Sequence, residues 1–426
     1  MRRLPTLLAL TLASVLAPAG VAVADHASTQ GAGSDGSGQP VRRHPRDSNP
    51  HTWQTSDRII GPDLPSAPSY ARAAGRTKRR FQYDVRPGVR VSSYQETIGS
   101  RSLRYYVVRA NWKDKGVGFQ LAQPPKIDRV QTVRWMTHNT PHAIAGVNGD
   151  FFDIGETGAP LGLGVRNGQV EHGIDWGWNS AFWIDEAGNP HIGTVPMTIT
   201  DPQRPKLGLT NLNSPQVRPG GIGVYDGRWG TTGGYLWTQR QRKHIAMAHV
   251  VDHKVVGFQK VYKAGQKITG RYLVARGQSA VDRLHRLRKG ENIWFAASAA
   301  HNPRLAVTGS TILLRSGKVV ATDNKELHPR TAIGIDPYHH WVFLLVVEGR
   351  QEFSDGYTEV EEARKLKQLG CKSALNFDGG GSTTLAALRD GDLRVLNSPS
   401  DGQQRKVGNA LTVTYQRPHK KGKRRR

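Results

Sequence analysis

The chain has 426 residues, is 37% hydrophobic and carries a formal net charge of +26, enough apolar material for a substantial core and enough length for one large domain or two to three average ones. Its single cysteine, Cys371, excludes an intramolecular disulfide. Beyond the N-terminus no apolar run reaches the roughly 18 residues that a membrane-spanning helix needs.

Arg2 and Arg3 precede an apolar stretch from Leu4 to Val23, closed by the small residues Ala22, Val23 and Ala24. This order predicts a secretory signal peptide over residues 1–24 and a secreted product, extracellular or associated with the cell wall. The competing use, an N-terminal membrane anchor, is disfavoured by Pro5 and Pro18 inside the apolar run. Residues 25–82 are rich in Gly, Ser, Pro and Arg, as in "STQGAGSDGSGQPVRRHPRDSNP", and predict a disordered linker.

Period-2 patterning begins at "VRVSSYQ" and "LRYYVVRANW", where Leu103, Tyr105 and Val107 alternate with Arg104, Tyr106 and Val108. Short apolar runs then recur between Gly, Asp and Asn, among them "HAIAGVNG", "GLGVRNGQV", "IGVYDGRWG", "TILLRSGKVVATD", "WVFLLVVEGR" and "ALTVTY". The dipeptides Asn167-Gly168, Asp226-Gly227 and Ser316-Gly317 predict tight hairpin turns. Two stretches read as helices. "IDRVQTVRWMTHN" spaces Ile127, Val130, Val133 and Met136 three apart, and "YTEVEEARKLKQLG" pairs Thr358 with Glu361 in a capping-box pattern before stopping at Gly370. The fold class expected is α+β: a single β-rich domain over residues 83–416 with a few packed helices, then a basic tail over residues 417–426.

Part of the positive charge lies in "VRRHPR", "RTKRR" and "RPHKKGKRRR". Such runs are solvated and bind polyanions weakly. They do not interleave with aromatics, so no specific nucleic-acid partner is expected. Cys371, in "KQLGCKSALNF", reads as a buried small hydrophobe rather than a nucleophile.

Three clusters carry candidate chemistry. In "SALNFDGGGSTT", Ala374 to Phe377 reads as a short buried strand with Asp378 at its end. Gly379, Gly380 and Gly381 are free to turn successive N–H groups into an anion-binding nest, and the hydroxyls of Ser382, Thr383 and Thr384 add donors. A Gly-rich turn that only packs closely would use the same residues. In "HPRTAIGIDPYHHWVFLLVVEGR", Arg330 offers a planar fork to a phosphate or carboxylate, and Glu348 and Arg350 emerge at the end of a buried strand. Two strand-end carboxylates, Glu348 and Asp378, suit glycosidic cleavage if they share one cavity. In "HAIAGVNGDFFDIG", Asn148, Asp150 and Asp153 surround Phe151 and Phe152, a set suited to holding sugar hydroxyls and a sugar face, with core packing the alternative for the rings. No acidic or His cluster has a recognised ligand spacing, so neither a metal nor another cofactor is expected.

The segments "VNGDFF", "HPRTAIGID", "LVVEGR", "LNFDGGGSTT" and "NSPSDGQQRKVGNALTV", in this order within residues 85–413, resemble the phosphodiester glycosidase family. The resemblance implies an α+β catalytic domain that cleaves a sugar from a sugar-1-phosphodiester at the glycosidic C1–O bond. It implies Asp378, Glu348 and Asp150 as catalytic residues. As substrate- and phosphate-binding residues it implies Asn148, Arg330, Arg350, Gly379, Gly380, Gly381, Ser382, Thr383, Asp401 and Asn409. Glu348 stands where many relatives have Asp, and "GGGSTT" replaces the more usual Ser-Ser-Thr ending. The stretch "KHIAMAHVVDHKVVGFQKVY" is not one of the family's signatures. The substrate expected is a sugar phosphate or anionic glycan; the alternative is a non-catalytic module that binds anionic cell-wall polymers.

Overall fold

The run Trp341–Val347 is apolar throughout because it lies inside an eight-stranded antiparallel sheet that is covered on both faces. The computed structural model of the chain describes residues 76–259 and 263–417. The expected signal peptide at residues 1–24, the linker up to residue 75 and the tail from residue 418 lie outside the described residues. No helix among the described residues is long and apolar enough to cross a membrane.

The eight strands run in the order Arg76–Arg86, Val89–Ile98, Arg101–Asn111, Trp341–Val347, Arg330–Asp336, Ser373–Asn376, Ile312–Arg315 and Lys318–Val319. A five-stranded antiparallel sheet orders Asp392–Val395, Leu385–Arg389, Ala143–Asn148, Ala410–Tyr415 and Val117–Ala122. The two sheets share one apolar core in which Val108, Val346 and Ile333 of the first pack with Val147, Leu385 and Val413 of the second. On its other face the eight-stranded sheet packs against the helix Glu359–Gln368 through Val360, Ala363 and Leu366. A ten-stranded sheet, with the helix Gln278–Leu284 against it, supplies a second large core.

The β-rich α+β class is as expected. The helix at Glu359 starts at the expected Thr358, whose side chain accepts the Glu361 N–H while Glu361 reaches back to the Thr358 N–H. Asn167-Gly168 and Ser316-Gly317 are two-residue hairpin loops with positive φ at both positions, 53° and 78° in the first and 48° and 75° in the second. Cys371 is buried in the core under the helix, and burial pushes its thiol far above its ordinary range.

Three local readings are corrected. Asp226-Gly227 makes a turn, but the strand Ile222–Asp226 pairs with Leu209–Leu212 and Arg271–Arg276, so no hairpin forms there. The helix expected from Ile127 is confined to Val133–His138. The Ile127 and Asp128 N–H groups bond to the Arg228 and Trp229 carbonyls, and the Asp128 carboxylate takes the Thr231 N–H and hydroxyl, so this backbone cannot also make a helical turn. Strand structure starts at Arg76, so residues 76–82 belong to the sheet rather than to the linker. These residues hold an edge, where main-chain pairing with the strand Val89–Ile98 needs no apolar side chains and exposed Lys and Arg discourage further pairing.

Candidate active site

The candidate residues lie where the two sheets bring strand ends together. In the eight-stranded sheet Arg330 pairs with Val347, just before Glu348, and Ala332 pairs with Asn376, two residues before Asp378. In the five-stranded sheet Asn148 pairs with Ala410, next to Asn409, and Val147 pairs with Leu385, next to Thr384. Antiparallel pairing places these starts and ends at one edge of each sheet.

Side chains and main chain then tie the two edges. Asn148, fully buried, donates its amide N–H to the Asp378 carbonyl, and its Oδ1 accepts from the Thr331 hydroxyl at 2.8 Å and the Thr384 N–H at 3.1 Å. The Asp378 N–H donates to the Gly149 carbonyl at 2.9 Å. Asn409 accepts the Asp150 N–H on Oδ1 at 2.8 Å and the Gly149 N–H on its carbonyl at 3.2 Å. A Cβ on Gly149 would run into that Oδ1, so glycine is required for this close approach.

Arg330 flanks Asp378. The Pro329 carbonyl accepts the Gly380 N–H and the Thr331 carbonyl accepts the Phe377 N–H, so the residues on either side of Arg330 hold the backbone around the aspartate. Arg330 is itself 1% exposed, with Nε on the Tyr357 carbonyl at 3.0 Å, Nη2 on the Glu326 carbonyl at 3.3 Å and Nη1 at 3.8 Å from Glu359 Oε1. Much of its fork is therefore engaged by the protein. Arg350, with φ of 58°, brings Nη2 to 2.8 Å from His328 Nδ1. A guanidinium only donates, so Nδ1 accepts and the imidazole proton sits on Nε2, 3.0 Å from Glu326 Oε2.

The Gly-rich loop differs in detail from the nest expected. Gly380 takes positive φ of 58° and opens a single 3₁₀ turn over Gly380–Ser382. The Ser382 and Thr383 N–H groups close on the Gly379 and Gly380 carbonyls, and the Gly380 N–H is used by Pro329. The hydroxyls are the open donors: Ser382 Oγ, Thr383 Oγ1 and Thr384 Oγ1 are buried and have no hydrogen-bond partner among the described residues.

Glu348 is 1% exposed and is held by Tyr106 Oη at 3.3 Å, the Ser398 N–H and Arg104 Nε at 3.5 Å. Burial pushes its carboxyl above the ordinary range, while the Ser398 N–H, Arg104 and Tyr106 pull it back. The dipeptide Asn397-Ser398 links it to the Gly-rich loop, because Asn397 bonds the Thr383 carbonyl at 2.9 Å and the Leu385 N–H at 2.7 Å. Asp401 lies on the same segment, against Gly381.

Asp150 is saturated with donors. Trp178 Nε1 meets Oδ1 at 2.8 Å, and Thr308 Oγ1 and the Gly162 N–H meet Oδ2 at 2.7 and 2.8 Å. Burial still dominates and lifts its carboxyl to about 6. The folded chain thus binds this proton more tightly than the unfolded chain, so the stability it contributes is full below the ordinary carboxylate range and is lost as pH rises through about 6, to a total of about 3 kcal/mol. The Trp178 indole N–H resonance is expected to titrate with a midpoint near pH 6 and to stop doing so in Asp150→Asn. An NMR titration checks both.

The structure thus brings the residues from all the quoted segments to one region. The sequence reading passed over His328, Asn397, Ser398 and Arg405. Among the described residues no group of three or more His, Cys, Asp or Glu side chains is arranged to hold a metal ion.

The chain is 34% identical over 88 residues to the SPbeta prophage-derived protein YomE of Bacillus subtilis strain 168, a stretch that is 21% of this chain and 13% of that relative. A hypothetical protein from Synechocystis shares the fold with a TM-score of 0.64 at 21% identity, over 78% of this chain and 62% of its own length. A Burkholderia pseudomallei K96243 protein, named only as a candidate exported protein, gives 0.63 at 17% identity over 83% and 99%. The zebrafish N-acetylglucosamine-1-phosphodiester alpha-N-acetylglucosaminidase catalytic domain, auto-inhibited by its pro-peptide, gives 0.43 at 15% identity over 80% and 88%. The family match spans residues 243–259, which include the strands Ile245–Val251 and Lys254–Gln259 of the ten-stranded sheet. Residues 234–414 match the family model described as phosphodiester glycosidase.

Proposed function

We propose that the protein is an exported hydrolase that releases a sugar from a sugar-1-phosphodiester on a cell-surface or extracellular glycan. The observation that carries this reading is the set of buried hydroxyls on Ser382, Thr383 and Thr384, without a partner among the described residues, beside the buried Asp378. Buried polar atoms ordinarily find partners, and each one left unmade costs about 1–3 kcal/mol, which points to a polar ligand. The family match supports a sugar-phosphodiester as that ligand.

The reaction adds water across C1–O. The C1–O bond breaks with its electrons on the phosphate oxygen, the water oxygen bonds to C1, and its proton leaves through a carboxylate. A phosphate ester departs far more readily than a sugar alkoxide, so the protein's main tasks are to hold the phosphate and to counter positive charge at C1. Asp378 is the carboxylate assigned to C1, and Glu348, with its raised carboxyl, is its partner across the Asn397-Ser398 bridge. Asn148 and Asp150 spend their hydrogen bonds on Asp378, Trp178, Thr308 and the loop backbone, so their assigned role is to position it, while Asn409 holds the Asp150 N–H through Oδ1 and keeps Nδ2 open among the described residues.

Incubating the full chain with a panel of sugar-1-phosphodiesters and following anomeric signals by NMR tests the reading. Release of free sugar is expected, with net retention if Asp378 attacks C1 and inversion if it activates water. Saturable binding without any release on long incubation makes the protein a binding module instead.

A further inference from the structure

We propose that Arg405 is the anion-binding side chain of this site, held in place by Asp401 and admitted by Gly381. That the anion is a phosphodiester rests on the function proposed above; that an anion binds here does not. Arg405 Nε donates to Asp401 Oδ2 at 2.9 Å and Nη2 lies 2.7 Å from the same oxygen in an ion pair, which restrains the plane of the guanidinium. The remaining nitrogen, Nη1, is buried and has no hydrogen-bond partner among the described residues. A buried cationic donor without an acceptor is costly, and an anionic oxygen is the group that satisfies it best.

The neighbours support an oxyanion. Ser400 Oγ, Ser382 Oγ and Thr383 Oγ1, on the same two segments, are also buried and unpartnered. The guanidinium lies directly on the Gly-rich loop: a Cβ at residue 381 would overlap both Arg405 Nη2 and the Asp401 carboxylate. This contact, rather than a nest of N–H groups, explains why the second residue after Gly379 has no side chain. Gly380, Ser382 and Thr383 already use their N–H groups within the protein, and Arg330 has Nε and Nη2 on carbonyls. The phosphate role expected of Arg330 and the nest therefore passes to Arg405 and the hydroxyls, with Asp401 as a positioning residue. Because these atoms are shielded from solvent, access requires local opening on ligand arrival.

The test uses the full chain and the variants Arg405→Met, Arg405→Lys and Gly381→Ala, each checked for folding by circular dichroism. Calorimetric titration with inorganic phosphate is expected to saturate in the wild type and to weaken about tenfold or more in Arg405→Met and Gly381→Ala, with Arg405→Lys between, because an ammonium keeps the charge and loses the planar fork. On a sugar-1-phosphodiester, kcat/KM is expected to fall about a hundredfold in Arg405→Met, while an uncharged aryl glycoside of the same sugar changes less than threefold. A folded Arg405→Met or Arg405→Lys variant that binds phosphate like the wild type, or a wild type that binds none, overturns the proposal. Arg405-dependent phosphate binding with no sugar released overturns the hydrolase reading and leaves this site standing. Sugar release that is indifferent to Arg405 does the reverse.

Discussion

Asp378→Asn is expected to lower kcat/KM on a sugar-1-phosphodiester by about a hundredfold or more while leaving the thermal melt nearly unchanged. The asymmetry follows from how the residue is held. Its N–H donates to Gly149 and its carbonyl accepts from Asn148. Both contacts are made by the main chain, and Asn preserves them along with the side-chain shape. What the substitution removes is a negative charge at a site where burial keeps water from screening it. Glu348→Gln makes the informative comparison. Its carboxylate also holds Ser398, Tyr106 and Arg104, so replacement should cost stability together with rate. Steady-state kinetics paired with circular-dichroism melts separates the two cases. A folded Asp378→Asn enzyme with near wild-type turnover would remove Asp378 from C1.

The sheet strands were legible because burial on one or both faces leaves a pattern. Trp341–Val347 is apolar at every position, and Leu103 to Val108 alternates between two cores, Tyr105 facing the helix side and Tyr106 the five-stranded sheet. The capping box at Thr358 and two of three hairpins were legible for a similar reason, since local backbone chemistry decides them. The edge strand from Arg76 was hidden because an edge is specified by main-chain pairing, which polar side chains do not reveal. The helix over Ile127 was misread because its periodicity competes with hydrogen bonds to residues about a hundred positions away. At the site, Asp378, Glu348, Asn148 and Asn409 were readable as polar residues at the ends of buried strands. Arg405 was not, because its meaning depends on a missing side chain at Gly381 that only the fold places beneath it.

Asn148→Ala should be the most destabilising single change at the site, by about 3 kcal/mol or more. Asn148 is fully buried and its one amide serves three groups on two other segments: the Asp378 carbonyl, the Thr331 hydroxyl and the Thr384 N–H. Truncation leaves the carbonyl and the N–H buried without this partner, at about 1–3 kcal/mol each, while the Thr331 hydroxyl is free to rotate. Against a typical total of about 5–15 kcal/mol the chain still folds, with a clearly lower denaturation midpoint. Asn148→Asp does not repair the loss. It keeps an acceptor for Thr331 and Thr384 but sets a carboxylate oxygen against the Asp378 carbonyl, where a donor is needed. Urea titrations should therefore rank the wild type well above both variants. The same bond that stabilises the fold also fixes the backbone of Asp378. Turnover measured well below the variants' melting temperatures should thus fall as well, and an Asn148→Ala protein with wild-type rate at such a temperature would show that the two sheet edges do not need this tie to hold the aspartate.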